Sequence, residues 1–186
     1  MTATIVIGTS GMTEHDLIAI ARDGATVRIS DEAIAAVTAT REHIERLAGA
    51  PEPVYGISTG FGALANRHIP ADMRTQLQKS LIRSHAAGMG TPVETEVVRA
   101  LMALRLKTLC SGHTGVRPEV VTTMAAVLNA GITPVVHEYG SLGCSGDLAP
   151  LAHCALVLMG EGQATGADGI ERPVAELLEE AGITPL

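Results

Sequence analysis

Residues 140–153 read Gly140-Ser141-Leu142-Gly143-Cys144-Ser145-Gly146-Asp147-Leu148-Ala149-Pro150-Leu151-Ala152-His153, a glycine-rich stretch that leads into an apolar segment. Its spacing does not match the common phosphate-binding loops. A Walker loop requires a Lys directly after its last glycine, and the dinucleotide fingerprint requires Gly-x-Gly-x-x-Gly after a strand. What remains is the tripeptide Cys144-Ser145-Gly146, followed by an apolar run that predicts a helix over residues 148–159.

The tripeptide has a chemical possibility that most turns lack. Because glycine has no Cβ, the backbone at Gly146 can fold back until its amide nitrogen approaches the carbonyl carbon of Cys144. Ring closure, with loss of water from that carbonyl and from the Ser145 side chain, would leave an exocyclic methylidene. That group is an electrophile, which the standard side chains do not supply. The plain alternative is a Gly/Ser turn before a helix, which is much commoner for an arbitrary Xaa-Ser-Gly.

The whole stretch resembles the signature of the aromatic amino acid ammonia-lyases and aminomutases, and it is most similar to the histidine ammonia-lyase form. The resemblance implies that Cys144, Ser145 and Gly146 cyclise into a covalent 4-methylidene-imidazole-5-one, with no metal and no dissociable cofactor. It gives Asp147 a supporting role in ring formation. The family usually has Ala as the first residue of the tripeptide, but only the carbonyl of Cys144 would enter the ring.

A second segment combines two of the chain's three aromatic residues with three glycines, in Tyr55-Gly56-Ile57-Ser58-Thr59-Gly60-Phe61-Gly62. Such a loop favours a functional role, although two rings packing a glycine-rich turn would give the same pattern. The segment resembles the family's Tyr-Gly-Val/Ile-Asn-Thr-Gly-Phe-Gly loop, with Ser58 in place of the commoner Asn. The resemblance implies that Tyr55 is the catalytic base and that Gly62 supports the loop.

A third candidate lies on a helix predicted from residue 71 or 72 to about residue 87. His85 shares one face of this helix with Leu77, Leu81 and Ile82, so we expect it to point inward. An inward histidine is often a satisfied core residue. However, Ser84-His85-Ala86-Ala87-Gly88 resembles the histidine-selective form of a family segment. Relatives that act on phenylalanine or tyrosine have Phe-Leu or His-Leu at its first two positions. The resemblance therefore implies that His85 contacts the substrate imidazole.

The remaining pattern predicts a mainly α fold, the helix-rich N-terminal part of an ammonia-lyase-like subunit. The β-branched runs at residues 4–7 and 26–29 predict two strands, forming a small hairpin or strand pair near the N-terminus. Apolar spacing, caps and glycine stops predict the other helices, over residues 14–21, 31–48, 94–109, 118–129 and 173–182.

Composition excludes several classes of partner. Of the 186 residues, 46% are hydrophobic and 2% aromatic, and the net charge is −7 without charged blocks. We therefore expect an aliphatic core and no binding to nucleic acid or to an anionic membrane. Cys110, Cys144 and Cys154 contain no CxxC pair, which argues against a disulfide framework or a zinc site. With no signal peptide and no spanning apolar run, we expect a cytoplasmic protein.

The resemblance covers essentially the whole chain but only the opening portion of a family subunit. Family subunits continue through central and C-terminal helical parts that complete the site, and they form tetramers. We therefore expect residues 1–186 to be an N-terminal ammonia-lyase domain that is incomplete or inactive alone. The predicted activity of the parent protein is elimination of ammonia from L-histidine to give urocanate.

Two alternatives remain open at this stage. The first is a non-catalytic folding or oligomerisation fragment, in which the apolar faces of residues 94–109 and 148–159 would lack partners and promote association. The second is that the parent protein is a phenylalanine or tyrosine ammonia-lyase or an aminomutase, enzymes that share the prosthetic ring. Ser84-His85 argues against this second alternative.

Overall fold

The computed structural model of the protein describes residues 3–140 and 147–186. Within these residues the mainly helical fold is confirmed. The helices are α1 (Glu14–Ala21), α2 (Asp31–Gly49), α3 (Arg74–His85), α4 (Thr95–Cys110), α5 (Pro118–Asn129), α6 (Leu148–Leu158) and α7 (Val174–Glu180), with short 3-10 turns at Gly62–Leu64 and Ala71–Met73. The strands are β1 (Thr4–Ile7), β2 (Thr26–Ile29), β3 (Met89–Pro92), β4 (Thr133–Pro134), β5 (His137–Tyr139), β6 (Gln163–Thr165) and β7 (Glu171–Pro173).

The helix ends follow the local signals in the sequence. Thr13 caps α1 through a reciprocal capping box with Asp16, so that each residue satisfies a backbone N–H of the other. Pro118 occupies the first turn of α5, where its missing N–H costs nothing. Gly131 and Gly182 follow the ends of α5 and α7 with φ of +71° and +65°, the left-handed conformation that glycine adopts without strain.

Helix α4 lies at the centre of the core. It packs against α1, α2 and α5. The side chains that it buries are aliphatic or small, namely Val98, Met102, Ala103, Leu106, Leu109 and Cys110. Helix α6 also buries one side, including Val157 and Leu158. The expectation that the apolar faces of residues 94–109 and 148–159 lack partners is therefore wrong, because this chain covers most of both faces itself.

The N-terminal strand pair is confirmed, and its strands run parallel. Thr4 pairs with Thr26 and Ile7 with Ile29, and α1 makes the connection between the two strands. A hairpin turn cannot join parallel strands, because the chain has to return to the same end of the sheet. Two further small sheets were not predicted from the sequence. One pairs β3 with β5, and the other has the strand order β4-β6-β7.

Two polar side chains connect elements that are distant in sequence. The Asn129 amide accepts a hydrogen bond from the Val27 N–H at 2.7 Å and donates one to the Val27 carbonyl at 2.9 Å. The Arg99 guanidinium donates to the carbonyls of Ile20 and Leu128, in the last turns of α1 and α5. The last carbonyls of a helix lack the usual partner four residues on, so Arg99 adds a donor at each of these two helix ends. The Leu128 carbonyl also accepts from the Gly131 N–H at 3.1 Å. Burial lowers the pKa of Arg99, but the carbonyl contacts satisfy its donors.

The Asn129 contact generates a stability prediction. Asn129→Asp keeps the acceptor for the Val27 N–H but replaces the amide donor with a carboxylate oxygen that faces the Val27 carbonyl. Asn129 is exposed, but Val27 is buried. We therefore expect the free energy of unfolding, measured by urea titration at pH 7, to fall by about 0.5–1.5 kcal/mol. The matched control is Asn66→Asp, the same change at a second exposed asparagine that lies away from Val27, where we expect a change smaller than about 0.5 kcal/mol. Equal effects at both positions would contradict the assigned role of Asn129.

Candidate active site

An open cavity of about 480 Å³ lies where α3, β5 and the start of α6 meet. Its described lining comes from three stretches that are separate in sequence: Ser84, His85, Ala87 and Met89, then Glu138, Tyr139 and Gly140, then Leu148 and Ala149. The cavity therefore joins the predicted selectivity segment to both flanks of the glycine-rich stretch. Its volume lies within the range typical of small-molecule sites.

The ring of His85 has a defined proton position. Its Nδ1 lies 2.8 Å from the Leu81 carbonyl oxygen, which can only accept a hydrogen bond, so Nδ1 carries a proton. Ser84 Oγ donates to the same carbonyl at 2.8 Å and lies 3.0 Å from His85 Nδ1. The Nε2 of His85 is therefore the ring nitrogen that can serve a ligand in the cavity. In the neutral ring this nitrogen is an acceptor.

Helix α3 is held to the rest of the protein from one side. It packs on α6, and none of its side chains is fully buried. The inward face predicted for Leu77, Leu81, Ile82 and His85 is half-buried, so His85 lines an open cavity and is not enclosed in the core. Beside the cavity, Arg83 forms a two-pronged ion pair with Glu161, at 2.9 and 2.6 Å. The hydrogen bonds from Arg83 lower the pKa of Glu161.

Close backbone packing shapes this cavity. A Cβ added at Gly140 would lie 2.8 Å from the Cβ of Ala149 and 3.6 Å from the Cα of Gly88. A Cβ added at Gly88 would lie 3.1 Å from the Nε2 of His153. Side chains at these two positions would force apart the end of α3, the end of β5 and the start of α6. The two glycines thus permit the approach that creates the cavity.

The predicted ring-forming residues Cys144, Ser145 and Gly146 lie outside the described residues. Asp147 is described as the exposed N-cap of α6, in extended conformation and without a side-chain capping hydrogen bond. It lines a second cavity of about 440 Å³, next to apolar residues of α4 and α6. Gly140 and Leu148, which both line the first cavity, bracket the undescribed stretch.

The Tyr55 segment forms a compact loop of its own. The Tyr55 and Phe61 rings meet edge to face, with centroids 5.9 Å apart. The Gly62 N–H points at the Tyr55 hydroxyl at 3.5 Å, a long contact. Ser58, which replaces the family's Asn, is fully buried, and its hydroxyl accepts from the Val54 N–H at 2.9 Å. Ser58 therefore closes the loop by a local hydrogen bond.

The structure does not place all the predicted site residues together. Ser84 and His85 share a cavity with the flanks of the signature stretch, whereas Tyr55 is absent from the described lining of that cavity. Tyr55 is 62% exposed. The loop that carries Tyr55 is anchored to the end of α2. Arg74 donates to the Ile69 carbonyl at 3.1 Å, near the end of the loop, and to the Ala48 carbonyl of α2 at 2.8 Å. Within the described residues, Tyr55 and His85 therefore do not line one cavity. A reaction that uses both side chains needs a further part of the protein to bring them together.

Two histidines near the cavity were missed by sequence reasoning. His153 Nε2 accepts a hydrogen bond from the Gly88 N–H at 3.1 Å, and His137 Nδ1 donates to the Gly90 carbonyl at 2.8 Å. The available signal was the position of His153 within the signature stretch itself. Spacing alone could not show that it meets Gly88, because 65 residues separate the two in sequence.

Comparison with known families agrees with this geometry. Residues 12–186 match the model described as aromatic amino acid lyase. The chain belongs to the aromatic amino acid lyase family. A histidine ammonia-lyase from Streptomyces avermitilis is 68% identical over 183 residues, which are 98% of this chain and 36% of that enzyme. This member of the aromatic amino acid lyase family thus spans about a third of the length of the curated relatives that it matches.

Solved structures from the same family share the fold of this chain. A histidine ammonia-lyase from Trypanosoma cruzi superposes with a TM-score of 0.88 at 38% identity, covering 98% of this chain and 35% of that one. A tyrosine aminomutase from Streptomyces globisporus gives 0.91 at 38% identity, covering 99% and 34%. Lyase and aminomutase are therefore equally similar in backbone, so the fold does not discriminate between their reactions.

Two other kinds of site are absent from the described parts of the chain. No helix in residues 3–140 or 147–186 combines the length and the hydropathy needed to cross a bilayer. The same residues contain no group of three or more His, Cys, Asp or Glu side chains arranged to hold a metal ion.

The packing at Gly140 generates a second prediction. In Gly140→Ala the new methyl group would lie 2.8 Å from the Ala149 Cβ, well inside the ~3.5–4.0 Å separation of carbon atoms in contact. Relief requires β5 and α6 to separate, so we expect a loss of about 1–3 kcal/mol in the free energy of unfolding. Gly11→Ala is the control, since an added Cβ there meets nothing within 4 Å. Denaturant titrations that give the same value for both variants would rule out the proposed close packing.

Proposed function

We propose that the protein to which this chain belongs is a histidine ammonia-lyase, which eliminates ammonia from L-histidine to give urocanate. The observation that carries the proposal is the cavity that joins Ser84 and His85 to both flanks of the signature stretch. The identity of 68% to a histidine ammonia-lyase supports it. Because the chain spans about a third of such enzymes, we propose that residues 1–186 supply part of the site and are inactive alone.

The reaction needs two kinds of group. The amine of an amino acid is a poor leaving group, and its β-hydrogen is weakly acidic, so an electrophile and a base are both required. A 4-methylidene-imidazole-5-one made from Cys144, Ser145 and Gly146 would supply the electrophile. The described flanks fit such a group, since Gly140 and Leu148 border a cavity of small-molecule size. Asp147, the N-cap residue of α6, is proposed to support formation of the ring.

We assign substrate recognition to His85. Its Nδ1 is engaged by the Leu81 carbonyl, so its Nε2 can accept a hydrogen bond from the N–H of a substrate imidazole. A phenyl ring has no polar hydrogen to donate at that point. A site built to form a hydrogen bond discriminates strongly against a ligand that lacks the partner. This residue therefore favours histidine over phenylalanine.

We assign the base to Tyr55, with Gly62 supporting its loop. The exposure of the Tyr55 ring and its absence from the described lining of the His85 cavity suggest that it acts in a cavity completed by another copy of the chain. A homo-oligomer, a tetramer by analogy with the family, would bring the two together. The partner in catalysis is then a second subunit, and the ligand is a small amino acid.

A reducing, cytoplasmic setting agrees with the two described cysteines. Cys110 and Cys154 are free and buried. Burial raises the pKa of Cys110 to about 11 and that of Cys154 to about 12. Since the thiolate is the reactive form, neither residue is a candidate nucleophile or redox group. We accordingly assign no catalytic role to them.

A second candidate function is supported by one observation, the equally good match to a tyrosine aminomutase. An aminomutase with the same ring would use the same cavity and return the amine to the neighbouring carbon. Ser84-His85 favours the lyase on histidine. The third possibility, a non-catalytic folding or oligomerisation fragment, predicts a chain in which the tripeptide stays linear.

Ring formation is tested by mass and by activity in the full-length protein. Cyclisation of Cys144-Ser145-Gly146 removes two waters, so the intact mass should be about 36 Da below the value calculated from the sequence. Ser145→Ala cannot form the methylidene. We expect this variant to have the mass of a linear chain, unchanged unfolding and no measurable urocanate production. Ser10→Ala, the same change at an exposed position, should retain both the mass deficit and the activity.

A linear wild-type mass would favour the non-catalytic alternative. Wild-type turnover by Ser145→Ala would end the assignment of the electrophile to this tripeptide.

Substrate choice is tested at His85 in the full-length enzyme. His85→Leu removes the acceptor for the substrate imidazole, so we expect kcat/KM for histidine to fall at least about 10²-fold. The ratio of phenylalanine or tyrosine turnover to histidine turnover should rise. His15→Leu, the same change at an exposed residue, should leave these values unchanged. A wild-type enzyme that ignores histidine but consumes phenylalanine or tyrosine would overturn the substrate assignment.

A further inference from the structure

The imidazole of His153 connects helix α6 to the segment that follows α3. Its Nε2 accepts a hydrogen bond from the Gly88 N–H at 3.1 Å. Gly88 lies so close that an added Cβ would be 3.1 Å from this nitrogen and 3.3 Å from the Cβ of His137. The contact thus depends on the imidazole ring at position 153 and on the absence of a side chain at Gly88.

The chemistry of the contact defines the state of the ring. A backbone N–H can only donate, so the His153 Nε2 must be unprotonated and the ring proton sits on Nδ1. Burial, and then the neighbouring His137, lower the pKa of His153, which favours this neutral form. The two rings meet with centroids 5.9 Å apart and planes inclined by 65°.

His137 fixes the same segment from the other side. Its Nδ1 donates to the Gly90 carbonyl at 2.8 Å, and Met89 pairs with Tyr139 of β5. The three residues 88–90 are therefore held at both ends by histidines from different elements. This segment begins three residues after His85, the last residue of α3.

Other contacts leave the position of His85 dependent on this anchor. Helix α3 has no fully buried side chain, and the Arg83–Glu161 ion pair is partly exposed, with side chains 50% and 35% accessible. Exposed ion pairs typically stabilise by only about 0–1 kcal/mol. The hydrogen bond to His153 joins the chain after His85 to the helix whose first turn, with Leu148 and Ala149, lines the cavity. Together with the packing of α3 on α6, it therefore helps to set the distance between His85 and that wall.

We propose that His153 is a positioning residue for substrate recognition, which holds the His85 turn against α6 through the Gly88 N–H. The inference rests on the proposed function, since it assumes that His85 contacts the substrate. His153 itself is absent from the described lining of the cavity, so it acts through the backbone and touches no reacting atom. A carbonyl oxygen at the position of the His153 Nε2 would accept the hydrogen bond from the Gly88 N–H equally well.

The test compares His153→Gln with His153→Leu in the full-length enzyme. The Gln side chain can place its amide oxygen near the former Nε2, whereas Leu has a similar size and no acceptor. We expect His153→Leu to raise KM for histidine about tenfold or more, with a smaller change in kcat, and His153→Gln to stay within about threefold of wild type. His113→Leu, which removes an exposed ring, should match wild type.

A purely structural role would give a different result. If His153 only stabilised the fold, Leu would lower the active fraction and hence the apparent kcat, with KM unchanged. That pattern, or equal KM values for the Gln and Leu variants, would overturn the inference.

A readout that needs no turnover separates this inference from the proposed function. In protein labelled with ¹⁵N-glycine, the Gly88 amide signal should shift in His153→Leu and stay close to the wild-type position in His153→Gln. An unshifted Gly88 signal in the Leu variant would overturn the inference, whichever amino acid is the substrate of the enzyme. If the wild-type enzyme uses another aromatic amino acid, the proposed substrate fails, and the KM comparison with that amino acid decides the role of His153.

Discussion

The segment after helix α3 passes β5 and α6 so closely that a Cβ at Gly140 would overlap Ala149 and a Cβ at Gly88 would crowd His153. This steric constraint underlies the rest of the candidate site. Because the backbones come so close, a main-chain N–H can reach His153, and Ser84 and His85 face the flanks of the signature stretch across a single cavity. A side chain at Gly140 would force a shift between β5 and α6.

The helical core gives this arrangement a rigid support. Helix α4 is buried against α1, α2 and α5, and polar contacts from Arg99 and Asn129 join the ends of these elements to their neighbours. Helix α6 belongs to both parts of the molecule, since it buries Val157 and Leu158 in the core and presents Leu148 and Ala149 to the cavity. Densely packed interiors resist small displacements, so a side chain mounted on α6 is well suited to position others.

Enzymes with different reactions share the backbone fold of this chain. A tyrosine aminomutase and a histidine ammonia-lyase superpose on the chain almost equally well, so the backbone cannot specify which amino acid is used or where the amine goes. The choice must come from a few side chains in the cavity. In the proposed assignment, the feature that favours an imidazole-bearing ligand is the hydrogen-bonding state of His85, with its Nδ1 committed to the Leu81 carbonyl.

The sequence by itself determined the helices, their ends and the family. Caps such as Thr13, the helix stops Gly131 and Gly182, and apolar spacing act over a few residues, so a linear reading captures them. The signature and the Tyr55 and His85 segments identified the family because their residue order is specific. Only the tertiary structure decided that β1 and β2 run parallel, that short strands pair late in the chain, that Tyr55 lies apart from the His85 cavity, and that His153 meets Gly88. Each of these depends on contacts between residues far apart in sequence, which local propensities do not encode.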